Sequence, residues 1–162
     1  MKKRAKRAQR PKVILAARGV LQRSRDKKIL LLKRSRRDGW AAGRWELPGG
    51  KFEPGQSLLR ILKGEMMELL KRVLKREIDE ETSLKVSRRW IIPLRRYERA
   101  DRVGRSAGSR YSETVFQCTR FSGKVKLSKE HESYRWVTVE EALGGRLRLT
   151  TDARKALEFM LE

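Results

Sequence analysis

The stretch from Trp45 to Leu84 constrains this chain most, because it joins a glycine bend to an amphipathic helix that ends in carboxylates. Pro48, Gly49 and Gly50 interrupt any regular element after Trp45-Glu46-Leu47. From Ser57 onward, Leu58, Leu62, Met66, Leu69, Leu70 and Val73 recur at three- and four-residue steps. That is the period of a helix with one buried face, and the spacing predicts a helix running to Thr82. Gly64 costs such a helix about 1 kcal/mol relative to alanine, so two helices broken there are the alternative. At about 100° per residue counted from Leu58, Glu77, Glu80 and Glu81 fall at roughly 100°, 40° and 140°, while the apolar positions occupy roughly 20° to 120°. The acids continue the apolar stripe. Carboxylates on an inward azimuth repel one another and lose solvent unless something positive sits among them, and hard divalent cations answer that need. The competing reading is an ordinary solvated helix surface, and the glycine bend upstream weighs against it.

Around this stretch the pattern is mixed. Val13 to Gln22 is apolar and β-branched enough for a strand, and the polar turn Ser24 to Lys28 precedes Ile29-Leu30-Leu31-Leu32, so a β-hairpin is expected. Arg34 to Arg44 reads as a basic loop. Val86 to Tyr97 and Tyr111 to Phe121 read as strands on either side of a basic loop, Arg102 to Arg110. Arg135-Trp136-Val137 reads as a short strand, after which Thr138 is a suitable N-cap for Val139-Glu140-Glu141-Ala142-Leu143. Asp152 to Leu161 closes the chain as an amphipathic helix. The order predicts a layered α+β domain without internal repeats.

With 162 residues the chain fits one domain with a single core. Cys118 is the sole cysteine, so a disulfide within the chain and a cysteine metal site are both excluded, and a reducing, cytoplasmic setting is expected. Apolar runs such as Ile29 to Leu32 are far short of the roughly 20 residues that cross a bilayer, so no membrane association is expected. Against 20 Asp+Glu stand 42 Lys+Arg, a net charge of +22 that attracts polyanions such as nucleotides or RNA. Residues 1–12 carry Lys2, Lys3, Arg4, Lys6, Arg7, Arg10 and Lys12 without an acid, which suggests a flexible basic arm ahead of a domain spanning 13–162. His131, the only histidine, is read as a surface loop residue, since the carboxylates already supply the chemistry.

These residues resemble the Nudix box: Gly, five residues, Glu, seven residues, then Arg-Glu-apolar-any-Glu-Glu-any-Gly-apolar. Gly50 is followed by Lys51-Phe52-Glu53-Pro54-Gly55, and Arg76-Glu77-Ile78-Asp79-Glu80-Glu81-Thr82-Ser83-Leu84 matches the second half. Trp45-Glu46-Leu47-Pro48-Gly49 is similar to the strand that leads into the box, and the resemblance spans nearly all of Val13 to Leu161. Three departures stand out. Gln56 replaces the first glutamate, Ser83 replaces the glycine, and nineteen residues instead of seven separate Gln56 from Arg76.

The resemblance implies an α/β/α sandwich with a mixed β-sheet, a long box helix and a C-terminal helix, in which residues 58–74 form an extra helical segment, a candidate lid or homodimer face. It implies Mg²⁺ or Mn²⁺ held by Glu77, Glu80, Glu81 and a backbone carbonyl of Gly49 or Gly50, with Arg76 orienting Glu77. The base that takes a proton from the attacking water is then Glu77 or a later glutamate, Glu130, with Glu132 as its rival. The implied reaction is cleavage of a diphosphate linkage in a nucleoside diphosphate derivative, a nucleoside triphosphate first. Removal of pyrophosphate from an RNA 5′ end and a non-catalytic nucleotide- or RNA-binding module are the alternatives. Trp40, Trp45, Tyr97 and Tyr111 are candidates for stacking on a base, and Arg34, Arg44, Arg110 and Glu53 for contacts elsewhere on the substrate.

Overall fold

The computed structural model describes residues 13–37, 39, 41–52, 63–100 and 108–162. The basic arm 1–12, Trp40, Glu53, Gln56, the first part of the extra segment and most of the basic loop after residue 100 lie outside the described residues. Strand β1 (Val13–Leu21) and strand β2 (Ile29–Arg34) are buried along nearly their whole length. Strands covered on both faces read as continuous apolar runs whichever strand they pair with, and the expected hairpin does not form. A single bridge, Gln22 to Ile29, joins the two strands, and each occupies the interior of its own sheet.

In the first sheet β1 pairs antiparallel with β4 (Gly49–Phe52) and parallel with β7 (Arg110–Cys118), and β6 (Ile91–Ala100) takes the far edge. The order β4-β1-β7-β6 makes this sheet mixed. In the second, β2 lies between β3 (Trp45–Glu46) and β9 (His131–Val137), all antiparallel. A small ladder joins β5 (Lys85–Val86) to β8 (Phe121–Ser122). The strand expected from Val86 to Tyr97 is interrupted by a 3₁₀ turn, Arg88–Trp90, before β6 begins.

Helix α1 (Lys63–Thr82) covers one face of the sheets, burying Leu70, Leu74 and Ile78 against Leu15, Ala17, Leu21 and Phe116. Helices α2 (Val139–Leu143) and α3 (Thr151–Glu158) cover the other, with Ala142, Ala153 and Leu157 against Val20, Leu31 and Val115. Each large side chain so buried is worth about 1.5–3 kcal/mol. The result is the expected α/β/α sandwich. Thr138 caps α2 as its sequence foretells: its hydroxyl accepts from Glu141 N–H at 3.1 Å, and the Glu141 carboxylate accepts from Thr138 N–H at 2.8 Å. No helix among the described residues is long and apolar enough to cross a membrane.

Candidate active site

The last turns of α1 supply the acids, but the buried stripe is rotated from the expected one. Leu70, Leu74, Ile78, Glu81 and Thr82 are its buried members, which centres it at about 170° counted from Leu58. Leu74 and Ile78, absent from the periodic set that begins at Leu58, account for the rotation. Glu81 therefore sits on the stripe, Glu77 at its edge and Glu80 outside it. Glu81 is 6% exposed, whereas the Glu80 side chain is 61% exposed and pairs with Arg76 at 3.7 Å. Arg76 also donates to Glu77 Oε1 at 3.1 Å.

The glycine bend is wedged between these acids and β1. A Cβ on Gly49 would lie 2.2 Å from the Ala17 carbonyl oxygen, and a Cβ on Gly50 would lie 2.6 Å from the Glu77 carboxyl carbon. Neither contact can be accommodated by a real side chain without displacement, so close approach of backbone to strand and to carboxylate explains both glycines. The fit brings the Gly49 N–H to Glu81 Oε2 at 3.1 Å. Ser83 has φ 61° directly after α1, the left-handed geometry that favours glycine at a helix C-terminus, which is where the family pattern has one.

Two further residues complete the cluster, and the sequence reading placed neither. His131 opens β9 opposite Arg34, and its side chain is fully buried. It is no surface loop residue. Its Nε2 lies 2.8 Å from Glu46 Oε1, which also accepts from Arg34 Nη1 at 3.0 Å. Glu46, Glu81 and His131 each offer a ligand atom within 4.8 Å of the others, all three buried. Burial, helped by the charges of Glu46 and Glu77, pushes the Glu81 carboxyl well above the ordinary glutamate range, against the Gly49 N–H and Arg18. Burial acts on Glu46 in the same direction, but the hydrogen bond to His131 and the charges of Arg18 and Arg34 hold it below that range. His131 Nδ1 is buried without a hydrogen-bond partner among the described residues. A set of two buried carboxylates and an imidazole, beside the partly buried Glu77, fits a divalent cation; the oxygens suit Mg²⁺ or Mn²⁺ and the nitrogen favours Mn²⁺.

Beside it lies a second charged cluster. Arg18 on β1 reaches Glu113 at 2.9 Å and Asp152 at 3.7 Å, and Arg99 on β6 reaches Asp152 at 3.0 Å and Glu113 at 3.5 Å. Glu113 is fully buried. Burial depresses the Arg18 guanidinium, yet Glu113, Asp152 and Glu46 together hold it above its ordinary value.

The other candidates are dispersed. Trp45 is a core residue with the Arg135 guanidinium 5.3 Å from its ring centre, so it is not an open stacking platform. Tyr97 packs edge-on against Phe159, and Tyr111 is buried under Arg99. Arg44 donates to the Leu149 carbonyl. Arg110 pairs with Glu98 opposite Val13, about 17 Å along β1 from Arg18 at 3.4 Å per residue. Glu130 is exposed in the turn before β9, and its backbone carbonyl accepts from Ser35 N–H. Glu132 is held by Lys33 at 3.0 Å.

A family model described as NUDIX domain matches residues 13–160. Nucleoside triphosphatase NudI of Escherichia coli O1:K1 / APEC is 29% identical over 136 residues, 83% of this chain and 88% of that protein. The crystal structure of the MutT protein from Methanosarcina mazei Go1 aligns with a TM-score of 0.69 at 27% identity, covering 95% of this chain and 96% of that one. The solution structure of the E. coli ORF135 protein aligns with a TM-score of 0.68 at 25% identity, covering 93% and 90%.

Proposed function

The chain belongs to the NUDIX family, and from that premise we propose that it hydrolyses a diphosphate linkage in nucleoside diphosphate derivatives, nucleoside triphosphates first, with a divalent cation. The single observation that carries this reading is the convergence of Glu81 on the Gly49 N–H and of Glu77 on the Cα of Gly50. The likeness to a nucleoside triphosphatase supports the substrate. Glu77, Glu81 and a carbonyl of Gly49 or Gly50 would hold the cation, with Glu46 and His131 within reach of Glu81 as further donors, and Glu80 would join them on leaving Arg76. A divalent cation held there would neutralise phosphate oxygens and lower the pKa of a water bound to it.

The protein groups around it have separable tasks. Arg34 and His131 keep Glu46 ionised and fixed. The Gly49 amide orients Glu81, and Arg76 orients Glu77. Glu77, or Glu130 from the turn before β9, accepts the proton of the attacking water. The test is a panel of nucleotides, sugar nucleotides and 5′-triphosphorylated RNA with Mg²⁺ and with Mn²⁺, products read by mass. The RNA arm is motivated by the net charge of +22. Release of monophosphate and pyrophosphate from nucleoside triphosphates is expected, and Glu81→Gln lowers turnover at least about 100-fold while the protein stays folded. Equal rates in variant and parent would remove the proposed site.

A further inference from the structure

The segment Gly123 to Glu130 leaves β8, passes the C-terminal end of α1 and arrives at His131. Lys126 N–H donates to the Thr82 carbonyl at 2.9 Å, Ser128 N–H to the Glu81 carbonyl at 3.3 Å, and the Ser83 hydroxyl to the Lys126 carbonyl at 3.3 Å. Val125 and Leu127 pack on the α1 core. Lys124, Lys126 and Lys129 are exposed, with no ion-pair partner among the described residues. A row of unneutralised cations thus runs along the helix end that carries the acidic site.

At its far end this row opens on a groove of about 680 Å³ whose walls include Arg23, Arg25, Lys124, Phe121, Tyr134 and Trp136. No acid is among the described residues lining it, and the neighbouring Asp26 is engaged by Arg23 at 2.6 Å. Phe121 stacks on Trp136 with ring centres 5.8 Å apart, and the Arg23 guanidinium lies 4.5 Å from the Trp136 ring centre. That packing makes a rigid wall, beside which Tyr134 stands 42% exposed. Tyr134 and Trp136 lie on the strand that His131 opens, about 10 and 17 Å along it at 3.4 Å per residue.

Successive cations suit a chain of phosphates, and an exposed ring beside them suits an unpaired base, whose stacking contributes about 1–3 kcal/mol. An acidic peptide would use the lysines and leave the ring idle, and a duplex offers no free base face. We propose that this lane binds a single-stranded polynucleotide, with its backbone along Lys124, Lys126 and Lys129 and a base on Tyr134. The claim is separate from the hydrolytic reading, because binding is measured without divalent cation.

The experiment is fluorescence anisotropy in chelator with single-stranded RNA and DNA oligonucleotides of about 12 nucleotides with 5′-hydroxyl ends, over a salt series. The parent binds with affinity falling steeply as salt rises. Tyr134→Ala weakens binding about tenfold, and Lys124→Glu with Lys126→Glu weakens it at least about tenfold and flattens the salt slope. Both variants hydrolyse nucleoside triphosphates at the parent rate. Binding of RNA and DNA alike, or of RNA alone, supports the lane and defines its sugar requirement. Oligonucleotide affinity unchanged in both variants, or abolished only by deleting residues 1–12, overturns it, as does preference for a duplex or an acidic peptide.

Discussion

The two buried charge clusters stand side by side and differ in one respect. In the network of Arg18, Arg99, Glu113 and Asp152, each carboxylate has a guanidinium in reach. In the cluster of Glu46, Glu81 and His131, Arg34 and His131 serve Glu46, while Glu81 accepts from the Gly49 N–H and feels Arg18 only from beyond ion-pair distance. Buried ions are tolerated when paired and costly when not. The balanced cluster is thus complete as it stands and holds β1, β6, β7 and α3 together. The unbalanced one leaves Glu81 without an ion pair among the described residues, and we propose that the cation sits there.

The largest effect tests the balanced side. Arg18→Met leaves Glu113 and Asp152 to Arg99 alone, and urea unfolding should show a loss of about 3–5 kcal/mol. A loss below about 1 kcal/mol would mean that the network is not the structural half of the pair. Next is Gly50→Ala, whose Cβ must displace the Glu77 carboxylate. Turnover is expected to fall about 10- to 100-fold, since misplacement by about 1 Å costs that much, with the melting temperature little changed. Parental turnover would show that Glu77 acts from another position.

The smallest effect is the pH dependence of the cation-free protein. Because the folded state holds the Glu81 carboxyl above its unfolded value, the folded protein keeps a proton that the unfolded chain releases as pH rises past the ordinary glutamate range. Stability in chelator therefore declines as pH climbs from there through the folded value, with Glu81 contributing no more than about 1.4 kcal/mol per pH unit. Asp152, also raised by burial and by Glu113, adds to the decline. Glu81→Gln removes the Glu81 share and is more stable than the parent at neutral pH without cation. Chemical denaturation across pH reads both, and an identical slope in the two proteins would contradict the assignment.

Local pattern was enough for α1 and the Thr138 cap, because those depend on neighbours three or four positions apart, while the α/β/α sandwich followed from the resemblance to the Nudix box. The glycine bend was legible from the breakers Pro48, Gly49 and Gly50, and Glu81 from its place in the box match. Glu46 and His131 were not: the contact that defines them spans 85 positions, and a two-residue strand such as β3 has no periodicity to read. The false hairpin had a related cause, since two fully buried strands look alike whether they pair with each other or lie in separate sheets. Glu80 shows the limit of helical counting, where leaving out Leu74 and Ile78 turned the whole face.

That Glu81 is the seat of a divalent cation, which would take the place of its proton, is tested most directly by titrating Mn²⁺ into the parent and Glu81→Gln and counting free Mn²⁺ by electron paramagnetic resonance. The account predicts binding to the folded parent and affinity at least about tenfold lower in the variant, at parental stability or above it. Equal Mn²⁺ affinity in the two proteins would contradict it.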